Sequence, residues 1–297
     1  MHTFAYLGYQ LKRALLRPRW LLILPVAGFI AFLSSNAVGL QAQILPEMDF
    51  MKLPEAFGTV TRMVNCWDSF FIAFGNLEYL VFGTLSLFLL CVSDILPESE
   101  FGNLALFRLG SRRRWWGVKS VVTLIAAALY LALCMAIVFA AGVIRNGFDL
   151  NWSAFGASGT SILTPAMMQF GYTAPMRLAF IVFMMQTLGF WTLGMVMMIL
   201  TLRLGKSLWG YLVVMALSCV TFPLEYALIN VPDLITIASP LRNLTLVYWA
   251  FPFRGAPVWW SLAYWQACAV VLNLIGWKLC RNIPLVSRHY SKEEGRA

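Results

Sequence analysis

The chain has 297 residues, of which 60% are hydrophobic and only 12% charged, with a formal net charge of +9 and a mean hydropathy of +0.74. Soluble domains carry about a quarter charged residues, so an ordinary soluble domain is excluded. The six cysteines form no CxxC pair and no spacing suited to zinc, which removes a disulfide scaffold and a zinc site.

In chain order, Phe4, Leu7, Leu11 and Leu15 recur at spacings of three and four, with Lys12 and Arg13 on another face. This pattern predicts an amphipathic helix within residues 1–19 that lies in the membrane interface. A frayed basic N-terminus is the alternative. Pro18 and Trp20 mark the turn into the bilayer. No small-residue cleavage site follows, so a cleavable signal is not expected.

Six apolar runs then follow, each long enough to cross a bilayer core, which takes about 20 residues as helix. They are Trp20–Leu40, Asp68–Val92, Lys119–Ile144, Pro175–Leu202, Ser207–Ile229 and Pro257–Cys280. Lipid offers the backbone no hydrogen bonds, so such runs are helices. The expected fold class is all-α: one polytopic membrane domain over residues 1–297, with six transmembrane helices. Sixteen of the 22 basic residues fall on the side that holds both termini. Positive-inside bias places that side in the cytoplasm of a cell membrane. The charge is therefore a topology signal and an attraction to anionic lipid, not a nucleic-acid footprint.

Between the second and third runs stands the segment DILPESEFGNLALFRLGSRRRWWGVK, residues 94–119. Pro97 suits a first helical turn, and Glu98 and Glu100 suit the positive end of a helix dipole. Phe101, Leu104, Ala105 and Arg108 follow at helical spacing, and Gly110-Ser111 ends the pattern. Arg112, Arg113, Arg114, Trp115 and Trp116 are the expected membrane anchor. A free helix this short is unstable, so it lies on lipid or docks into a partner. An ordinary interfacial loop is the alternative.

The outer segments near 41–67, 145–174 and 230–256 carry prolines and many aromatics, among them Trp67, Phe155 and Tyr172. This mixture favours interfacial or re-entrant segments or a packed cap over solvated loops. Residues 221–256, with Pro223 and Pro240, form the expected external or re-entrant segment before the last run. Arg203–Ser207 is a tight hairpin turn. Its Gly205-Lys206-Ser207 imitates the end of a P-loop, but the first glycine would fall at Leu200 and no strand precedes it.

Catalytic constellations are missing. The only histidines are His2 and His289, outside the runs, which removes a Ser–His pair and a HExxH site. No enzyme activity, metal or bound cofactor is expected in this chain. Glu78 is the acid well inside a run, with Asn76 and Tyr79 beside it. Ionisable groups in hydrocarbon face a partner, a cavity or water. Asn76, Glu78 and Glu225 are thus candidates for a translocation path. Glu78 could equally bridge a dimer axis or hold spans together, and Glu225 could pair with Arg242. The methionines at Met184, Met185, Met195, Met197 and Met198 suit packing or an adaptable apolar cavity. The sequons at Asn151 and Asn243 arise readily by chance.

The run from Glu98 to Lys119, with Gly102, an apolar stretch, Ser111-Arg112 and an aromatic, resembles the junction between the second and third spans of type-2 ABC transporter permeases. The interfacial helix, six spans, tight hairpin and proline-containing segment before the last span are similar to that family as well. The resemblance implies a short coupling helix, with Glu98, Glu100, Phe101, Leu104 and Arg108 meeting a separate ATPase. It also implies a second permease subunit, identical or not, and two cytoplasmic ATPase subunits that bind ATP and Mg. With few charges in the spans, a hydrophobic or amphipathic cargo (a lipid-like molecule, drug or peptide) is expected. A secondary carrier or channel, or a non-transporting assembly or sensor protein, is the alternative. The first two outer loops are longer than in the leanest family members and the arginine triplet is more basic than usual, which leaves the substrate class open.

Overall fold

A computed structural model describes residues 3–44, 63–96, 111–157, 174–227, 238–245 and 258–281. Among these residues every element is helical. Helix α1 is Thr3–Leu15 and α2 is Ile23–Ile44, with a 3-10 turn at Pro18–Leu22 between them. Helix α3, Cys66–Gly75, is followed by a π-helical turn at Tyr79–Leu85, helix α4 at Ser86–Val92 and a 3-10 turn at Ser93–Ile95. The long helix α5 is Arg112–Asn146, and α6 is the single turn Ala154–Ala157. Helices α7, Pro175–Leu204, and α8, Ser207–Ala227, precede a 3-10 turn at Arg242–Leu244 and the last helix α9, Val258–Arg281.

Four stretches are long and apolar enough to cross a membrane: Pro18–Leu40, Arg112–Asn146, Pro175–Leu204 and Trp259–Arg281. A fifth arises if the pair Cys66–Gly75 and Tyr79–Ile95, bent by 86°, counts as one span. Helix α8 has 21 residues, and its described side chains, over Ser207–Thr221, form an apolar stretch. At 1.5 Å per residue, the 35 residues of α5 reach about 52 Å, well beyond a hydrocarbon core of about 30 Å.

Helix α5 is the central post: α1, α2, α3, α7 and α9 all pack on it. Helix α7 carries α8 and α9 on its other sides. Lipid tails are as apolar as leucine, so such helices associate through close packing and interhelical hydrogen bonds. Both are present. The fully buried Phe88, Tyr130 and Phe190 join α4, α5 and α7, with ring centroids 5.3 Å apart for Phe88–Phe190 and 5.5 Å for Phe88–Tyr130. Trp191 Nε1 donates to the Ser120 carbonyl at 2.9 Å, and Tyr130 Oη donates to the Thr84 carbonyl at 2.8 Å. At Gly276 of α9 an added Cβ would stand 2.2 Å from the ring of Trp116 on α5. Only glycine permits that approach.

The hairpin between α7 and α8 turns at Gly205, whose φ of 77° is left-handed, and its N–H donates to the Thr201 carbonyl at 2.8 Å. This is a glycine helix stop of the ordinary kind. The Gly205-Lys206-Ser207 triplet is accordingly a turn between two helices.

The expected continuous span Asp68–Val92 is corrected by the structure. The helix stops at Gly75, and Asn76 adopts an extended conformation with φ −79° and ψ 122°. Asn76 Oδ1 then accepts from the N–H groups of Glu78 at 2.7 Å and Tyr79 at 3.3 Å. A side-chain amide oxygen thus starts the second half as a helix N-cap would.

Candidate functional site

The segment between the second and third apolar runs has two described ends. Its first end is the turn at residues 90–95. Arg19 Nη1 donates to the Leu90 carbonyl at 3.3 Å and to Ser93 Oγ at 2.6 Å, and forms an ion pair with Asp94 at 3.1 Å. Lys119 Nζ, fully buried, donates to the Ile95 carbonyl at 2.9 Å and to Gln10 Oε1 at 3.0 Å. The turn is therefore gripped from two sides.

The second end is the start of α5. Ser111 is extended, and its Oγ accepts from the Arg114 N–H at 3.5 Å, capping the helix. Arg112 Nη1 donates to the carbonyls of Cys280 and Arg281 at the last turn of α9. Helix C-termini carry unpaired carbonyls and partial negative charge, which a guanidinium neutralises. The Arg113 guanidinium lies 4.8 Å from the centre of the Trp277 ring.

Glu98, Glu100, Phe101, Leu104 and Arg108 lie outside the described residues. Arg112 is half-buried and Arg113 and Arg114 are exposed. Trp115 and Trp116 are buried in the helical core, Trp116 against Gly276. Arg112, Arg113 and Trp116 thus hold the start of α5 to α9.

Asn76 and Glu78 meet at the break between α3 and the π-helical turn, where Asn76 is half-buried and Glu78 exposed. The break leaves the Phe74 carbonyl to an outside donor: Gln186 Nε2 on α7 supplies a bond at 2.9 Å and also reaches the Leu244 carbonyl at 3.4 Å. Gln186 is fully buried and its Oε1 has no hydrogen-bond partner. One amide therefore ties the broken helix, α7 and the 3-10 turn before α9 together. Glu225 belongs to α8, and its side chain lies outside the described residues.

The segment before α9 is described only at 238–245. There Asn243 is buried, with Nδ2 donating to the Ser239 carbonyl at 2.8 Å and Oδ1 accepting from Ser261 Oγ at 2.8 Å. Trp265 Nε1 donates to the Asn243 carbonyl at 2.8 Å. The sequon asparagine is thus committed to packing. Met185, Met195, Met197 and Met198 are buried and Met184 is exposed. Ser120 Oγ and Thr123 Oγ1 donate to the sulfurs of Met195 and Met198 at 3.3 and 3.5 Å, so these methionines fill the α5–α7 seam.

One acid escaped the sequence reading. Asp68 is buried, with Oδ2 accepting from the Asn65 N–H at 2.8 Å and Oδ1 from Ser153 Oγ at 2.7 Å. Asn65 in turn caps α3 and donates to the Asn151 carbonyl at 2.8 Å, while Trp67 Nε1 donates to the Asp149 carbonyl at 2.8 Å. Trp152 lies 5.2 Å from Phe71, ring centre to ring centre. This is a packed cap over the start of α3 and the end of α5. The visible signal was Asn65 followed by Asp68, a capping-box spacing.

Among the described residues no group of three or more His, Cys, Asp or Glu side chains could hold a metal ion. No family model, no curated protein and no solved structure matches the chain.

Proposed function

We propose that the chain is the membrane-spanning permease subunit of an ATP-driven transporter of the type-2 ABC class. It crosses a bacterial cytoplasmic membrane six times with both termini inside, pairs with a second permease subunit, and is powered by two separate cytoplasmic ATPases. In this reading α8 is the fifth crossing and α9 the sixth. The cargo is hydrophobic or amphipathic, and it passes outward between the two permeases.

The observation that supports this reading most is the double fixation of the segment at 94–119. Its first end is held by Arg19 and Lys119, and its second by Arg112, Arg113 and Trp116 against α9. A short element pushed by a partner transmits force only if both ends are tied to the helices that must move. The helix break at Asn76 adds support, since non-helical backbone at membrane depth is tolerated only inside protein or beside a water-filled cavity.

The test is a pair of variants in the reconstituted complex. Glu98→Arg and Phe101→Asp are each expected to lower transport per ATP hydrolysed by about tenfold while membrane insertion is kept, as for loss of one buried anchor at an interface. Unchanged transport per ATP in both variants would remove the docking contact from residues 98–108.

A further inference from the structure

A lysine at the cytoplasmic end of an apolar run ordinarily extends its ammonium to the headgroups. Lys119 does the opposite. It is fully buried, although Arg112, Arg113 and Arg114 already place charge at that end of α5. Burying an ammonium is costly unless acceptors surround it. Two of its acceptors are neutral and come from elements remote in sequence: Gln10 Oε1 on α1 at 3.0 Å and the Ile95 carbonyl at 2.9 Å. The face of Trp115, 5.8 Å away, adds a cation–π contact.

The acceptor on α1 is itself oriented. Gln10 Nε2 donates to Tyr6 Oη at 2.9 Å, which turns Oε1 toward the lysine. Tyr6 and Gln10 are both buried, and with Ala14 they form the face of α1 that packs on α5. Ile95 closes the last turn of the broken span, where carbonyls lack helical donors. Leu96 then leads directly into residues 97–110.

We propose that Lys119 is a positioning residue: its buried ammonium locks α1, the end of the broken span and α5 into one unit that moves together. What displaces the unit rests on the permease reading above, whereas the lock itself does not. A push at residues 97–110 then reaches α1 and α5 at once instead of being lost in bending at Ile95.

The test uses Lys119→Met, Gln10→Leu and the double variant, in full-length protein in lipid nanodiscs. Hydrogen exchange is read at residues 3–15 and 90–96, and transport per ATP hydrolysed is read in the complex with its ATPase. Either single variant is expected to speed exchange in both segments by about tenfold, the effect of stranding one buried partner. The double variant is expected to be no worse than the worse single one, because Lys119→Met already removes the one contact that Gln10→Leu removes. Transport per ATP is expected to fall by about fivefold with hydrolysis retained, a modest energetic uncoupling. Faster exchange in one segment alone, or effects of the two substitutions that multiply, would overturn the lock. Faster exchange in both with transport per ATP unchanged would overturn the positioning role. Gln10→Leu, which keeps the lysine, decides the matter if Lys119→Met does not fold. If no ATPase partner exists the permease reading fails, and the exchange measurement still decides the lock.

Discussion

At the scale of single residues, the buried polar groups set the constraints. Asp68 accepts two hydrogen bonds within the cap over the start of α3. Replacing it by alanine strands the Asn65 N–H and the Ser153 hydroxyl, at a cost of about 1–3 kcal/mol. Thermal unfolding in detergent is expected to show a lower midpoint for Asp68→Ala, with Asp68→Asn intermediate; an unchanged midpoint for alanine would mean the cap does not hold α3. Gly276 offers a second test. A methyl group there meets the Trp116 ring at 2.2 Å, so Gly276→Ala must push α9 away from α5 at a cost of about 1–3 kcal/mol. The same midpoint should fall, and a wild-type midpoint would contradict the close α5–α9 packing. Gly276 carried no signal in the sequence, and Asp68 only the local spacing from Asn65. Asp68 looked like the polar boundary of an apolar run, because its partner Ser153 is 85 residues away in the chain. Lys119 read as a positive-inside charge, since nothing in one dimension shows that Gln10 and Ile95 converge on it.

At the scale of elements, hydrophobic length identified the helices and missed their interruptions. Runs such as 119–144 and 175–202 correspond to α5 and α7, extended at their ends by polar residues that still satisfy helical geometry. The run 68–92 concealed a bend of 86°. Gly75-Asn76 is a turn pair by composition, but apolar neighbours on both sides masked it. The amphipathic N-terminal pattern coincides with helix α1, but it did not mark the side that packs on protein. Tyr6, Gln10 and Ala14 are inside, Leu7, Leu11 and Leu15 flank them, and Phe4 is 85% exposed. A residue period cannot say whether a helix faces lipid or protein when both are apolar. The break itself is testable. Asn76→Leu removes the acceptor that starts the second half, at a cost of about 1 kcal/mol. Hydrogen exchange at residues 76–80 is expected to rise while that of α5 stays unchanged; equal protection in variant and wild type would show that the break does not depend on this side chain.

At the scale of the whole molecule, α5 stands as a long post with α1, α2, α3, α7 and α9 around it. Its cytoplasmic end, in the proposed orientation, collects Lys119, the caps of α9 and the far end of the segment at 94–119. Large apolar side chains remain exposed on α8 and α9, among them Trp209, Leu212, Trp259 and Val270, as surfaces facing lipid or a second subunit require. The all-helical membrane class was legible because it depends on composition and run length alone. The direction of motion, the partner and the cargo were not, because they depend on surfaces that meet other molecules. The central claim is that an ATPase supplied by another polypeptide drives this chain. The most direct measurement is affinity purification of the tagged protein from its native membrane in mild detergent, with mass spectrometry and ATPase assay of what comes with it. A stoichiometric cytoplasmic ABC ATPase, lost on Glu98→Arg, is the expected result. Protein recovered intact and folded with no ATPase bound would contradict the claim.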